Sequence, residues 1–267
     1  MPIAEINGQG IFYEDSGGDG PPVIFLHGFL FDQSMFDPQV EVLAPKYRCI
    51  RFDARAFGQT QWDGKPFSLY DTAADAIGLL DHLGIQEATF VGMSQGGYAL
   101  VRIAIKYKER VKAAVFLSTY NGVDTPDVKQ IYYSMRNTWV KQGPDPLIST
   151  YRDLFLGKDE RGQELFKYWE PRWRAVSAKA FEAASNNLTE RDEIPDEQVK
   201  EHITMPSIVI HGEQDQGMPI ALAEQLYKTL PNAKRMVPVP GAAHAANLTH
   251  PDVVNEALQE FLAEIYP

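Results

Sequence analysis

The stretch Phe90-Val-Gly-Met-Ser-Gln-Gly-Gly-Tyr-Ala99 constrains the fold of this chain more than any other. The continuously apolar run Ala88 to Val91 precedes it, and the amphipathic run Tyr98 to Tyr107 follows. Gly92-x-Ser94-x-Gly96 therefore falls where a buried strand turns sharply into a helix. A turn this tight drives its central residue towards positive φ and brings the two backbones together, which requires small neighbours such as Gly92, Gly96 and Gly97. Ser94 then projects into a cleft at a helix N-terminus. Free backbone N–H groups and the helix dipole favour a developing oxyanion there.

The order of elements around this turn sets the fold class. Ile3 to Ile6 and Gly10 to Glu14 flank Asn7-Gly8 as an opening hairpin. Val23 to Leu26 is too continuously apolar for a half-exposed strand and reads as a central parallel strand ending in His27-Gly28-Phe29. A helix is predicted over Ser34 to Ala44 and a strand over Tyr47 to Phe52. An amphipathic helix runs from Ser68 to Gly84, and Lys112 to Ser118 is another buried strand. Alternation of this kind produces a mostly parallel sheet covered on both faces.

From Tyr120 to about His202 the alternation stops. The segment is helical in character, rich in large aromatics, and punctuated by Gly143-Pro144-Asp145-Pro146 and by Glu170-Pro171. It reads as a helical cap over 120–203 inserted into a core of 1–119 and 204–267. The sheet resumes with Ser207 to Ile210, a helix over Pro219 to Leu230, a strand over Ala233 to Val239 and a closing helix over Pro251 to Ile265.

A serine hydroxyl needs a base within hydrogen-bond reach, itself oriented by a carboxylate. Of the six histidines, His244 lies in a loop of small residues, Pro240-Gly-Ala-Ala-His-Ala-Ala-Asn247, directly after a strand, and is the candidate base. His250 at a helix start reads as an N-cap, and His211, directly after a strand, as a packing residue. Asp215 follows the penultimate strand and is the candidate acid. Glu213 and Asp124 are its rivals, and an ordinary turn aspartate is the alternative reading. The order Ser94, Asp215, His244 favours Asp215.

Composition narrows the function classes. The chain of 267 residues carries a net charge of −11, from 25 basic and 36 acidic residues, without a concentrated basic face, which argues against nucleic acid as a partner. Cys49 is the sole cysteine, so no intramolecular disulfide forms; its apolar neighbours suggest a buried thiol. With neither a signal-like N-terminus nor a membrane-length apolar run, a cytoplasmic protein is expected, as monomer or homodimer. No P-loop, dinucleotide fingerprint or close-spaced His/Cys cluster occurs, and neither cofactor nor metal is inferred.

From His27-Gly28 through the elbow to Asp215 and the His244 loop, the chain resembles the α/β-hydrolase fold superfamily. Arg55-x-Phe57-Gly58-Gln59 and Gly92-Met-Ser-Gln-Gly-Gly97 are similar to its serine esterase, enol-lactonase and cofactor-free haloperoxidase-like branch. The resemblance implies an eight-stranded, mostly parallel sheet flanked by helices, with the inserted cap. It also implies an oxyanion hole formed by the backbone N–H groups of Phe29 and Gln95. Serine rather than aspartate at position 94 suits acyl transfer, so the expected activity is cleavage of a small carboxylic ester or lactone. Carbon–carbon cleavage or perhydrolysis on the same residues is the alternative, and a non-catalytic ligand receptor a more distant one. Relatives carry glycine where Ala56 stands, and its methyl group implies a different path for that loop. Phe31, Trp62, Met93, Tyr133, Trp139 and Trp169 are the candidate substrate-binding residues, with core packing as the competing role.

Overall fold

Asn7 and Gly8 both take positive φ, 49° and 74°, the backbone geometry that lets a two-residue loop follow strand twist. They join β1 (Ile3–Ile6) antiparallel to β2 (Gln9–Asp15). The computed structural model describes residues 2–267. The remaining strands are β3 (Pro22–Leu26), β4 (Arg48–Phe52), β5 (Ala88–Met93), β6 (Val111–Leu117), β7 (Ser207–Gly212) and β8 (Ala233–Val239). Among the described residues they form one eight-stranded sheet in the order β1-β2-β4-β3-β5-β6-β7-β8. From β4 to β8 all pairings are parallel, and β2 is antiparallel to β4. The strand pattern predicted a mostly parallel sheet, and the resemblance to α/β-hydrolases implied its eight strands; the observed sheet has both features.

Both faces of the sheet are buried, which explains its unbroken apolar runs. Val23, Phe25 and Val91 pack on one side with α1 (Asp37–Leu43) and α11 (Pro251–Ile265). Ile24, Leu26 and Phe90 pack on the other with α2 (Leu69–His82), α3 (Gln95–Lys106) and α9 (Ile220–Thr229). A capping box opens α2: Ser68 Oγ accepts the Asp71 amide, and the Asp71 carboxylate accepts the Ser68 amide. Burial pushes the Cys49 thiol up to about 12, so it is an inert packing group. No helix among the described residues is long and apolar enough to cross a membrane.

Between β6 and β7 the chain inserts α4 (Pro126–Gln142), α5 (Ile148–Phe155), α6 (Glu160–Ala175), α7 (Ala178–Thr189) and α8 (Asp196–His202). Gly143 ends α4 at φ 79°. Pro171 does not punctuate as the sequence suggested, because α6 runs through it. Burial of Trp169 and Trp173 on either side of it outweighs the lost backbone hydrogen bond.

The Ala56 loop also departs from expectation. Ala56 does not avoid positive φ by taking another path; it sits at φ 71°. A left-handed alanine costs about 1–2 kcal/mol, against which glycine would lose roughly 0.5–1 kcal/mol through unfolded-state entropy. Ala56→Gly is therefore expected to stabilise the protein by about 0.5–1 kcal/mol, read from the urea midpoint at constant slope. An unchanged or lowered midpoint would show that the loop relieves the strain by other means.

Candidate active site

Ser94 stands between β5 and α3 at φ 51° and ψ −112°, a strained backbone that the surrounding contacts must hold. Its N–H donates to the Leu117 carbonyl at 2.9 Å, and the Thr119 hydroxyl donates to its carbonyl at 3.2 Å. The glycine after the turn is sterically required. A Cβ on Gly96 would lie 2.1 Å from the Leu26 carbonyl oxygen, a backbone atom that cannot step aside. Together these contacts aim Ser94 at the carboxyl edge of the sheet.

Two side chains meet it there. Ser94 Oγ lies 2.8 Å from His244 Nε2, and His244 Nδ1 lies 2.5 Å from Asp215 Oδ2. An ionised carboxylate only accepts, so Nδ1 carries the imidazole proton and Nε2 accepts from the serine hydroxyl. The other oxygen, Asp215 Oδ1, accepts the amides of Gly217 at 3.1 Å and Met218 at 2.9 Å. Burial alone would raise the Asp215 pKa, but its contacts with His244, His211 and the Met218 amide outweigh that and hold it below the ordinary value.

Further groups support this chain without having been singled out for it. The His244 carbonyl accepts from the Ser118 hydroxyl at 2.7 Å, and Ser118 itself sits at φ 47°. His211 is fully buried, as a packing residue should be; its Nε2 donates to the Met218 carbonyl at 2.7 Å and lies 3.4 Å from Asp215 Oδ2. Burial pushes the His211 pKa down, so the ring stays neutral beside the carboxylate. Glu213 is exposed. Asp124 is engaged elsewhere, 2.7 Å from Arg191. His250 occupies the N-cap position of α11 without a side-chain capping bond and pairs with the Thr249 hydroxyl instead.

The Phe29 loop is held by His27. Its Nε2 accepts the Ala54 amide at 2.9 Å and its Nδ1–H donates to the Gly28 carbonyl at 2.8 Å. Burial pushes the His27 pKa down, consistent with this neutral bridge. Gln95 is the first residue of α3, so its N–H has no helical acceptor. The Phe29 N–H likewise has no backbone acceptor among the described residues. Both amides are free beside Ser94.

A cavity of about 90 Å³ opens over Ser94 and His244, walled by Phe29 and by Tyr132, Tyr151 and Leu188 of the inserted helices. None of the six candidate substrate-binding residues lines it. Phe31 and Trp169 pack edge-to-face at 4.8 Å between ring centres, buried in the core. Trp139 is stacked on Phe181 at 4.0 Å. Met93 is fully buried beneath Gly28. Tyr133 turns outward to Glu190 at 2.7 Å, and Trp62 packs with Phe67 and Lys179 at a separate depression. Tyr132, the neighbour of Tyr133, is the residue that reaches the cavity. Among the described residues no group of three or more His, Cys, Asp or Glu side chains is arranged to hold a metal ion.

Residues 21–251 match the model of the alpha/beta hydrolase fold family. The chain belongs to that family. It is 27% identical to a non-heme haloperoxidase of Rhodococcus erythropolis over 97% of this chain and 98% of the relative. It is also 27% identical to 3-oxoadipate enol-lactonase 2 of Acinetobacter baylyi, over 90% of this chain and 88% of the relative. Among solved structures, the enol-lactonase from Burkholderia xenovorans LB400 superposes with a TM-score of 0.90 at 23% identity, covering 98% of this chain and 100% of that one. At that identity the superposition speaks for the fold. The chain is thus an α/β-hydrolase with relatives named for haloperoxidase and lactonase activities.

Proposed function

We propose that this α/β-hydrolase cleaves a carboxylic ester or lactone with a short acyl part through an acyl-enzyme on Ser94. The unbroken hydrogen-bond chain from Ser94 through His244 to Asp215 is the observation that carries this reading. His244 Nε2 takes the hydroxyl proton as Ser94 Oγ attacks the carbonyl carbon, and returns it to the departing alkoxide. The free amides of Phe29 and Gln95 hold the tetrahedral oxyanion. Water then replaces the alcohol in the cleft; His244 removes its proton as the water oxygen attacks the acyl carbon, and returns that proton to Ser94 Oγ as the acyl–Oγ bond breaks and the acid leaves. In a lactone the alkoxide stays tethered, and the same steps open the ring. The names of the enol-lactonase and of an esterase/perhydrolase from Acinetobacter calcoaceticus, 25% identical, agree with this chemistry.

The test is proton release from esters of graded acyl length and lactones of several ring sizes, with wild type beside Ser94→Ala. Turnover should concentrate on the short acyl groups that suit a cavity of about 90 Å³, and Ser94→Ala should lower kcat by at least about 10³-fold. A Ser94→Ala protein with wild-type rates would sink the proposal.

A further inference from the structure

We infer that the substrate's acyl part carries a second, uncharged oxygen, read by the hydroxyls of Tyr132, Tyr151 and Ser185 on the inserted helices. This rests on the acyl-hydrolase reading above and specifies the substrate class of the same site.

These three side chains line the cavity over Ser94. Their hydroxyls have no protein partner among the described residues, whereas Tyr133 donates to Glu190 and Thr189 to the Ser185 carbonyl. Nor are they sealed in the core as the unpartnered hydroxyls of Thr72 and Ser207 are. They open onto the cavity although Tyr151 and Ser185 are each only 6% exposed. Burial pushes the Tyr132 phenol up to about 12, with the Asp124 carboxylate adding to the effect, and burial raises Tyr151 as well. Both phenols therefore stay protonated and present O–H donors to whatever fills the space.

The charges nearby decide what kind of oxygen that is. Arg191 lines the cavity, but all five of its N–H donors are taken: by Asp124 and the Leu188 carbonyl, by the Gly122 carbonyl, and by the phenol oxygens of Tyr98 and Tyr120. A substrate carboxylate would meet the Asp124 carboxylate beside one already saturated guanidinium, with the Asp215 charge buried behind His244 adding to the repulsion. A ketone, ether or hydroxyl oxygen meets only the neutral donors. A purely alkyl chain would displace water from them and leave them unpaired, which is the way a polar site rejects an apolar analogue.

The experiment uses matched phenyl esters: butanoate against methoxyacetate, and pentanoate against methoxypropanoate and levulinate. Each kcat/KM is divided by the ester's rate with hydroxide, which removes its intrinsic reactivity. At least one oxygenated member should exceed its alkyl match by roughly tenfold or more, and the ratio should fall to about one in Tyr132→Phe/Tyr151→Phe. Ser185→Ala, a milder change, should reduce it in part. Normalised ratios at or below one throughout, or a preference that survives both the double variant and Ser185→Ala, would overturn the inference. Binding of methoxyacetone against pentanone to Ser94→Ala, by calorimetry, reads the cavity without turnover. If no ester is cleaved in a Ser94-dependent way, the hydrolase reading fails by itself, and the two ketones still decide: tighter binding of methoxyacetone supports the polar pocket, and equal or weaker binding refutes it.

Discussion

Asp215→Asn is expected to lower kcat by about 10⁴-fold while leaving the fold intact. The size follows from which oxygen does what. Oδ1 accepts two amides, from Gly217 and Met218, so an asparagine places its carbonyl oxygen there and turns its NH₂ towards His244. That group donates where Oδ2 now accepts, at 2.5 Å from Nδ1. The imidazole then moves its proton to Nε2 and has no lone pair left for the Ser94 hydroxyl. The same substitution at Asp124, the rival acid, leaves the tautomer of His244 untouched and should cost catalysis far less. Steady-state rates on the best ester, with circular dichroism as the folding control, check both. A loss below about tenfold in Asp215→Asn would remove Asp215 from the proposed mechanism.

What the sequence discloses and what it conceals follow from how local the cause is. The elbow is local: Gly96 is needed because its own Cβ would strike Leu26, and the same steric demand can be read from Gly92-x-Ser94-x-Gly96. His244 and Asp215 both follow strands of one parallel sheet, and parallel strands deliver their carboxyl ends to one edge, so their meeting with Ser94 is foreseeable from element order. The cavity wall is different. Tyr132 and Tyr133 are consecutive on α4, about 100° apart around its axis, and only the packing of α4 against α7 selects Tyr132 for the cavity and leaves Tyr133 facing Glu190. Trp139 and Trp169 are among the largest apolar groups available, and the insertion buries them in its own core, with Phe31 of the loop after β3 packed against Trp169. Their size made them attractive as ligands' neighbours, yet size is also what burial rewards most. Ser118 left a faint trace, a small polar residue at the end of a buried strand. Arg191 left none, because its partner lies 67 positions away in sequence.

That pair governs the second large effect. Arg191→Met is expected to destabilise the protein by about 3–5 kcal/mol, since removing one member of a buried ion pair leaves the other charged and unpaired. The Arg191 and Asp124 side chains are 2% and 13% exposed. Burial alone would make the guanidinium easier to deprotonate, but Tyr98, Tyr120 and Asp124 hold it firmly charged. Arg191 also ties the segment after α7 to the loop after β6, through its bond to the Gly122 carbonyl at 3.1 Å, and covers the Tyr98 ring at 4.1 Å. Asp124→Leu should be costly for the reciprocal reason, stranding the cation. The double variant Arg191→Met/Asp124→Leu removes both charges and should cost less than the sum of the single changes by about 2–3 kcal/mol. Urea unfolding of the four proteins measures this coupling directly. Single effects that add to within about 0.5 kcal/mol would mean that the pair contributes no electrostatic coupling, and that Arg191 acts through its contacts with carbonyls and aromatic rings instead.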